Sequence, residues 1–146
     1  IVAGCIPEWD GRILLCKRAI EPRYGLWTLP AGFMENGETT EQAALRETRE
    51  EAGARVEITQ LYGLFSIPHI SQVYMLYHGH LVEGEYEAGV ESLECRLFDE
   101  QDMPWETLAF PVIKETLKRY FSDRKRGNDL PLQRGEIIKH PQRNSG

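Results

Sequence analysis

Between Gly32 and Ala54 the chain reads GFMENGETTEQAALRETREEAGA, and no other segment limits the possible folds as much. Thr39 followed by Gln42 is a capping-box pattern, Ala and Leu fill the body, and Gly53 stands where a helix stop belongs. At roughly 3.6 residues per turn, Glu47, Glu50 and Glu51 fall on one face. Leu45, Thr48 and Ala52 share another face, expected to bury against a sheet, while Ala43 and Ala44 lie on or beside the acidic side and leave space above it. Clustered carboxylates repel and cost an isolated helix a few tenths of a kcal/mol per pair. Arg46 and Arg49 offset part of this, although a merely solvated face would usually interleave Lys at the i+4 positions. The arrangement suits a hard cation, Mg²⁺ or Mn²⁺, which takes oxygen ligands and bridges carboxylates to substrate phosphates. Held there, such an ion lowers the pKa of a bound water and stabilises a departing phosphate oxygen. On the carboxylate spacing alone, an exposed acidic helix remains the open alternative.

The flanking residues close that alternative. Gly32 is followed after five residues by Glu38, after seven more by Arg46-Glu47, and then by Glu50-Glu51 and Gly53. This resembles the signature of the Nudix hydrolase family, Gx5Ex7REUxEExGU with U aliphatic, with every fixed letter in register. Thr48 and Ala54 depart from it, standing where larger aliphatic residues are usual. The resemblance implies a loop-helix-loop on a mixed central sheet sandwiched between helices. Glu47, Glu50 and Glu51 would then hold the metal, joined by the Gly32 carbonyl. Arg46 and Glu38 would pair with each other or with the catalytic carboxylates and orient them. Water would attack a phosphorus of a nucleoside diphosphate derivative and release two phosphate-bearing halves. Family members draw the general base from the helix, here Glu47 or Glu50, or from a later loop. The loop candidates are Glu91 and Glu94, with family spacing favouring Glu91.

The rest of the chain reads independently as a mixed α/β (α+β) domain. Strand-like runs at residues 1–6 and 12–18 flank Asp10-Gly11, a hairpin signal. Further runs at 55–65, 72–82 and 92–98 are broken by Pro68, Gly84 and Gly89, and a second helix is expected over about 110–121. Residues 1–122 form the expected domain, and 123–146 an Arg-, Asn- and Gly-rich tail that Leu130, Leu132, Ile137 and Ile138 could dock onto the domain or a partner copy. A homodimer is one expectation from that tail. A length of 146 residues suits one domain, and a net charge of −6 argues against broad nucleic-acid binding. No apolar run is long enough for a membrane span. Cys5, Cys16 and Cys95 form no CxxC pair and read as reduced thiols of a cytoplasmic protein.

The substrate must be read outside the acidic helix. Tyr24, Trp27 and Phe33 could stack on an adenine or flavin ring, with core packing the stronger reading for Trp27 and Phe33. Arg18 and Arg23 are candidate clamps on phosphate. His69 and His78 read as satisfied polar groups in or near strands. Pro68 lies fifteen residues beyond Gly53, a spacing similar to that in Nudix enzymes acting on ADP-ribose. The stretches GLWTLPAGFMENGE and ESLECRLF resemble plant plastid FAD and ADP-ribose diphosphatases and their bacterial relatives. Those relatives carry a zinc ribbon ahead of the domain, which this sequence, opening at Ile1 inside a strand-like run, does not include. A small nucleotide substrate such as FAD or ADP-ribose is therefore expected. A housecleaning triphosphate pyrophosphatase and a non-catalytic nucleotide sensor are the alternatives.

Overall fold

A computed structural model describes residues 1–127 and 130–138. Strand β1 (Val2–Trp9) turns through Asp10-Gly11, both at positive φ, into β2 (Arg12–Arg18). Two short strands follow, β3 (Trp27–Thr28) and β4 (Ala31–Phe33), then helix α1 (Thr40–Ala52). Beyond it lie β5 (Val56–Ile67), β6 (Gln72–Leu81), β7 (Ser92–Phe98), α2 (Pro111–Lys125) and β8 (Gln133–Glu136).

The strands make one mixed sheet in the order β3-β2-β1-β6-β5-β8, with β4 paired to β1 and β7 to β2. β1 runs parallel to β6 and β5 parallel to β8, while the other pairs are antiparallel. β1 and β2 pair only beside their turn, at Glu8–Ile13 and Trp9–Arg12, and β4 instead pairs with Val2, Ala3 and Gly4. That divergence lets the segment leading into α1 enter the sheet.

Alternation along the central strands sorts the core into two layers. Val2, Ile6, Ile13 and Leu15 face the side covered by α2, where Val112, Ile113, Leu117, Tyr120 and Phe121 pack on them. Ala3, Cys5, Leu14 and Cys16 face the other side, covered by α1. Buried on both faces, β1 and β2 therefore read as continuous apolar runs rather than alternating ones.

The burying face of α1 is shifted from the one expected. Ala43 and Ala44 are fully buried with Thr48 and Ala52, while Leu45 is 37% exposed. Small side chains opposite Ala3 and Cys5 let the helix sit close to the sheet, and a Leu on that seam would hold it away. Thr39 and Gln42 complete a reciprocal capping box, and Gly53 ends the helix at φ 55, donating to the Arg49 carbonyl.

The boundary expected at residue 122 falls inside α2, which continues to Lys125. Its buried Asp123 accepts from Tyr62 at 2.6 Å and from Gln133 at 3.0 Å. β8 adds to the sheet beside β5, and Leu130 and Ile137 pack against the core. Leu132 and Ile138 stay exposed, and residues 139–146 lie outside the described part.

Removing the cap hydroxyl with Thr39→Ala leaves an orphan N–H at the start of α1 and should lower stability by about 1 kcal/mol. In a denaturant melt the midpoint should fall while the slope stays unchanged.

Candidate active site

Arg46 lies on the exposed flank of α1 and satisfies all its N–H donors within the protein. Its Nε and one terminal nitrogen grip Glu38 at 2.7 and 3.0 Å in a bidentate pair. The other terminal nitrogen donates to Glu47 at 2.9 Å and to Glu50 at 3.2 Å, and the Phe33 carbonyl accepts at 3.2 Å. A planar fork of donors is what this geometry needs, and a lysine could not supply it. The Arg46 side chain holds the Glu38 carboxyl below its usual range, and Glu38 in turn raises the guanidinium.

Glu51 points inward, toward the strands, and accepts from the Ala31 backbone N–H at 2.7 Å. Burial, then the neighbouring Glu47 charge, pushes its carboxyl up to about 8. Glu47 is also raised, chiefly by burial, with Arg46 opposing. Its carboxylate lies so close over Gly32 that any Cβ there would collide with it. Glycine at 32 lets the strand backbone lie flush against the acid face, and a larger residue would displace the end of the Glu47 side chain.

The loop before β7 is laced onto the end of α1. Glu87 and Gly89 donate their backbone N–H groups to the carbonyls of Ala52 and Glu51 at 2.7 and 3.0 Å, and Ser92 Oγ adds a bond to Glu51 O at 2.9 Å. Glu91 is thereby close enough for its charge to raise both Glu47 and Glu51. Glu94 is paired in register with Lys17, one residue from Cys95, whose thiol meets the Glu51 carbonyl. Alternation turns Glu94 to the opposite face of the sheet, away from the acidic helix.

Among the described residues, Glu38, Glu47, Glu50, Glu51 and Glu91 thus gather around two guanidiniums, Arg46 and Arg18. A neutral or singly charged group would not offset that excess, whereas oxygen-ligated divalent cations fit it. Glu47, Glu50, Glu51 and the Gly32 carbonyl have the donor chemistry to hold Mg²⁺ or Mn²⁺.

Beside Gly32 opens a cavity of about 410 Å³, mostly apolar, lined among others by Phe33, Ile67, Tyr74, Phe110 and Arg18. Arg18 lies over the Phe110 ring at 5.1 Å, and its charge opposes the burial that raises Glu51 and Tyr74. The other candidate substrate residues fall elsewhere. Trp27 is 8% exposed and packs edge-on against Phe98 at 4.9 Å, because β3 directs it into the α2-side core, so its expected stacking role is not supported. Arg23 is tied to the Ala109 carbonyl at 2.8 Å, and Tyr24 is exposed, and neither lines the cavity. Phe33, for which core packing was expected, is 65% exposed and lines it. His69 lines it also, and Pro68 starts the short turn that leads there. Tyr74 and Phe110 escaped the sequence reading because each sits in an ordinary strand or helix-entry pattern. Their convergence is a product of topology.

Sequence comparison matches residues 1–138 to the NUDIX domain. The chain is 37% identical over 123 residues to the ADP-ribose pyrophosphatase of Methanocaldococcus jannaschii, covering 77% of this chain and 70% of that one. It is 29% identical over 119 residues to the NAD-capped RNA hydrolase NudC of Vibrio parahaemolyticus, covering 78% of this chain and 45% of that protein. Among solved structures, a NUDIX hydrolase from Nitrosomonas europaea superposes with a TM-score of 0.91 at 56% identity, over 94% of this chain and 78% of that one.

The raised Glu51 gives a signed pH dependence. Its proton is held to about 8 when folded but only to about 4.5 when unfolded. The associated stability is complete below the lower value and is lost as pH rises through the higher one. Without added divalent cation, the melting temperature should fall across that window, and Glu51→Gln should flatten the fall.

Proposed function

Because the chain belongs to the NUDIX domain family, hydrolases of pyrophosphate bonds, we propose that it cleaves the diphosphate of ADP-ribose with the aid of Mg²⁺ or Mn²⁺. The observation that carries this reading is adjacency: the apolar, aromatic-walled cavity and the carboxylate face share the Gly32 strand as a common wall. A nucleoside can enter the first while its diphosphate reaches the second. The ADP-ribose pyrophosphatase relative supports the choice of substrate. FAD presents the same adenosine diphosphate half, and the likeness to plastid diphosphatases recommends it as the second substrate.

In this reading Phe33 stacks on the base at the cavity mouth and Tyr74 and Phe110 exclude water from its faces. Arg18, over Phe110 and within the field of Glu51, meets the phosphates. Arg46 keeps Glu47 and Glu50 in fixed rotamers, so their free lone pairs point outward without reorganisation when substrate arrives. Glu50, the exposed member of the Glu47, Glu50 and Glu51 face with a side chain 58% exposed, takes the proton of the attacking water. Glu91, carried on the laced loop, is the alternative base. Bound divalent cations would neutralise the diphosphate and acidify water. Water adds across the P–O–P bridge, so ADP-ribose gives AMP and ribose 5-phosphate. The free Cys5, Cys16 and Cys95 thiols suit a reducing cytoplasm as the place of action.

A Mg²⁺-supplemented panel of ADP-ribose, FAD, NADH and nucleoside triphosphates, read by product chromatography, tests the proposal. ADP-ribose should give the highest kcat/KM, and preferential release of pyrophosphate from triphosphates would replace the reading with a housecleaning one. Glu50→Gln should lower kcat by about 10²-fold or more, and an unchanged rate would remove Glu50 from the chemistry. Arg46→Lys should lower kcat about 10- to 100-fold. Phe33→Ala should instead raise KM about fivefold, the worth of roughly 1 kcal/mol of stacking.

A further inference from the structure

At the end of β1 remote from the acidic helix, a second group of donors converges. Glu8 and His80 are paired residues of the parallel β1–β6 ladder. His78, two residues before His80, projects from the same face. The carboxylate of Glu8 lies 3.6 Å from His78 Nε2 and 4.0 Å from His80 Nδ1, and all three donor atoms fall within 4.8 Å of one another. Glu8 lies six strand steps beyond Val2, which pairs with Phe33, so the cluster stands about 20 Å along the strand from the carboxylate site.

The surrounding hydrogen bonds accommodate the tautomer that a metal ion takes. Thr59 Oγ lies 3.0 Å from the His78 carbonyl and 2.7 Å from His78 Nδ1, so when its hydroxyl proton goes to the carbonyl its oxygen accepts from Nδ1–H. That leaves the Nε2 lone pair aimed at Glu8. Tyr120, from α2, donates its only hydroxyl proton to the Glu8 carboxylate and sets its oxygen 3.2 Å from the same Nε2. In that tautomer two lone-pair atoms face each other, an arrangement that a cation bridging them would reconcile. Arg124 approaches Glu8 at 3.5 Å but gives its shorter bond, 2.8 Å, to the Gly11 carbonyl.

We propose that Glu8, His78 and His80 form a second metal site, distinct from the Mg²⁺ site, that takes a zinc-like divalent transition ion. Two imidazoles and one carboxylate are the ligand chemistry of Zn²⁺ and are poorly suited to Mg²⁺. Tetrahedral ligation at about 2.0–2.2 Å sets donors about 3.4 Å apart, close to the 3.6 Å already present between Glu8 and His78. His80, the exposed member, makes up the remaining distance by turning its ring, and water completes the shell. Thr59 supplies the outer hydrogen bond that orients a ligating imidazole. Through Tyr120 the ion would clamp the last turns of α2 to the end of the central strands.

The test uses the whole chain with Mg²⁺ in excess to fill the carboxylate site, titrated with ZnCl₂ by calorimetry and followed by thermal melting and zinc-edge X-ray absorption. Wild type should bind a single zinc equivalent with two imidazole neighbours and melt at a higher temperature with zinc than without. His80→Ala, exposed and remote from the active site, should keep Mg²⁺-dependent hydrolysis while losing at least about tenfold in zinc affinity. Glu51→Gln should keep the zinc equivalent. Zinc binding that survives His80→Ala but disappears with Glu51→Gln would overturn the proposal. So would a His78 that remains doubly protonated in ¹⁵N spectra at saturating zinc, since the added proton, pairing with Glu8, would then be the true occupant.

Discussion

The geometry of the acid face depends on one guanidinium. Arg46 binds Glu38 in a bidentate pair, reaches Glu47 and Glu50 with its second terminal nitrogen, and ends on the Phe33 carbonyl. These contacts join three separate pieces of chain: the turn before α1, the helix itself, and the strand edge beside the cavity. Without a cation in their midst the carboxylates would splay toward water. With Arg46 there they stay crowded, and burial together with that crowding raises Glu47 and Glu51. A site of this kind is poised for cations because its own positive charge suffices to orient the acids and falls short of neutralising them.

How legible this was in the sequence depended on the range over which each feature is encoded. The α1 cap, the acid face, the Asp10-Gly11 hairpin and the β1 and β2 runs are local patterns, and they fold as read. The buried face of α1 was misread because Leu outranks Ala in hydrophobicity, whereas the seam with Ala3 and Cys5 selects for smallness. The strand within residues 133–136 was missed because Gln, Arg, Gly and Glu carry no strand signal. It forms because Gln133 and the Arg134 carbonyl are held by Arg119 of α2, at 3.1 Å each.

The cavity was the least legible feature. Its walls come from β2, β4, the β5–β6 connection, β6 and the entry to α2, and no periodicity connects such segments. Tyr24 and Trp27 attracted attention by lying near the motif in sequence, yet two residues of β3 suffice to turn Trp27 into the core. Proximity along the chain is a poor guide where strands alternate faces. The family motif located the carboxylate face for the opposite reason: its fixed residues lie on one loop and one helix, where spacing converts directly into geometry.

The two departures from the motif, Thr48 and Ala54, follow from the same seam. Both are buried among small residues, and Thr48 spends its hydroxyl on the Ala44 carbonyl at 2.8 Å, leaving no polar group exposed to the core. Larger aliphatic side chains there would lift α1 from β1. The cost would appear at the helix's other edge, where Glu51 reaches the Ala31 N–H at 2.7 Å and Glu47 lies over Gly32 without room for a Cβ. A rise of even an ångström would break the first contact and open the second. Close packing on the buried side of α1 thus sets how far its acids project toward the cavity, and the motif departs where this chain's sheet, with the small Ala3 and Cys5 against the helix, already brings it near.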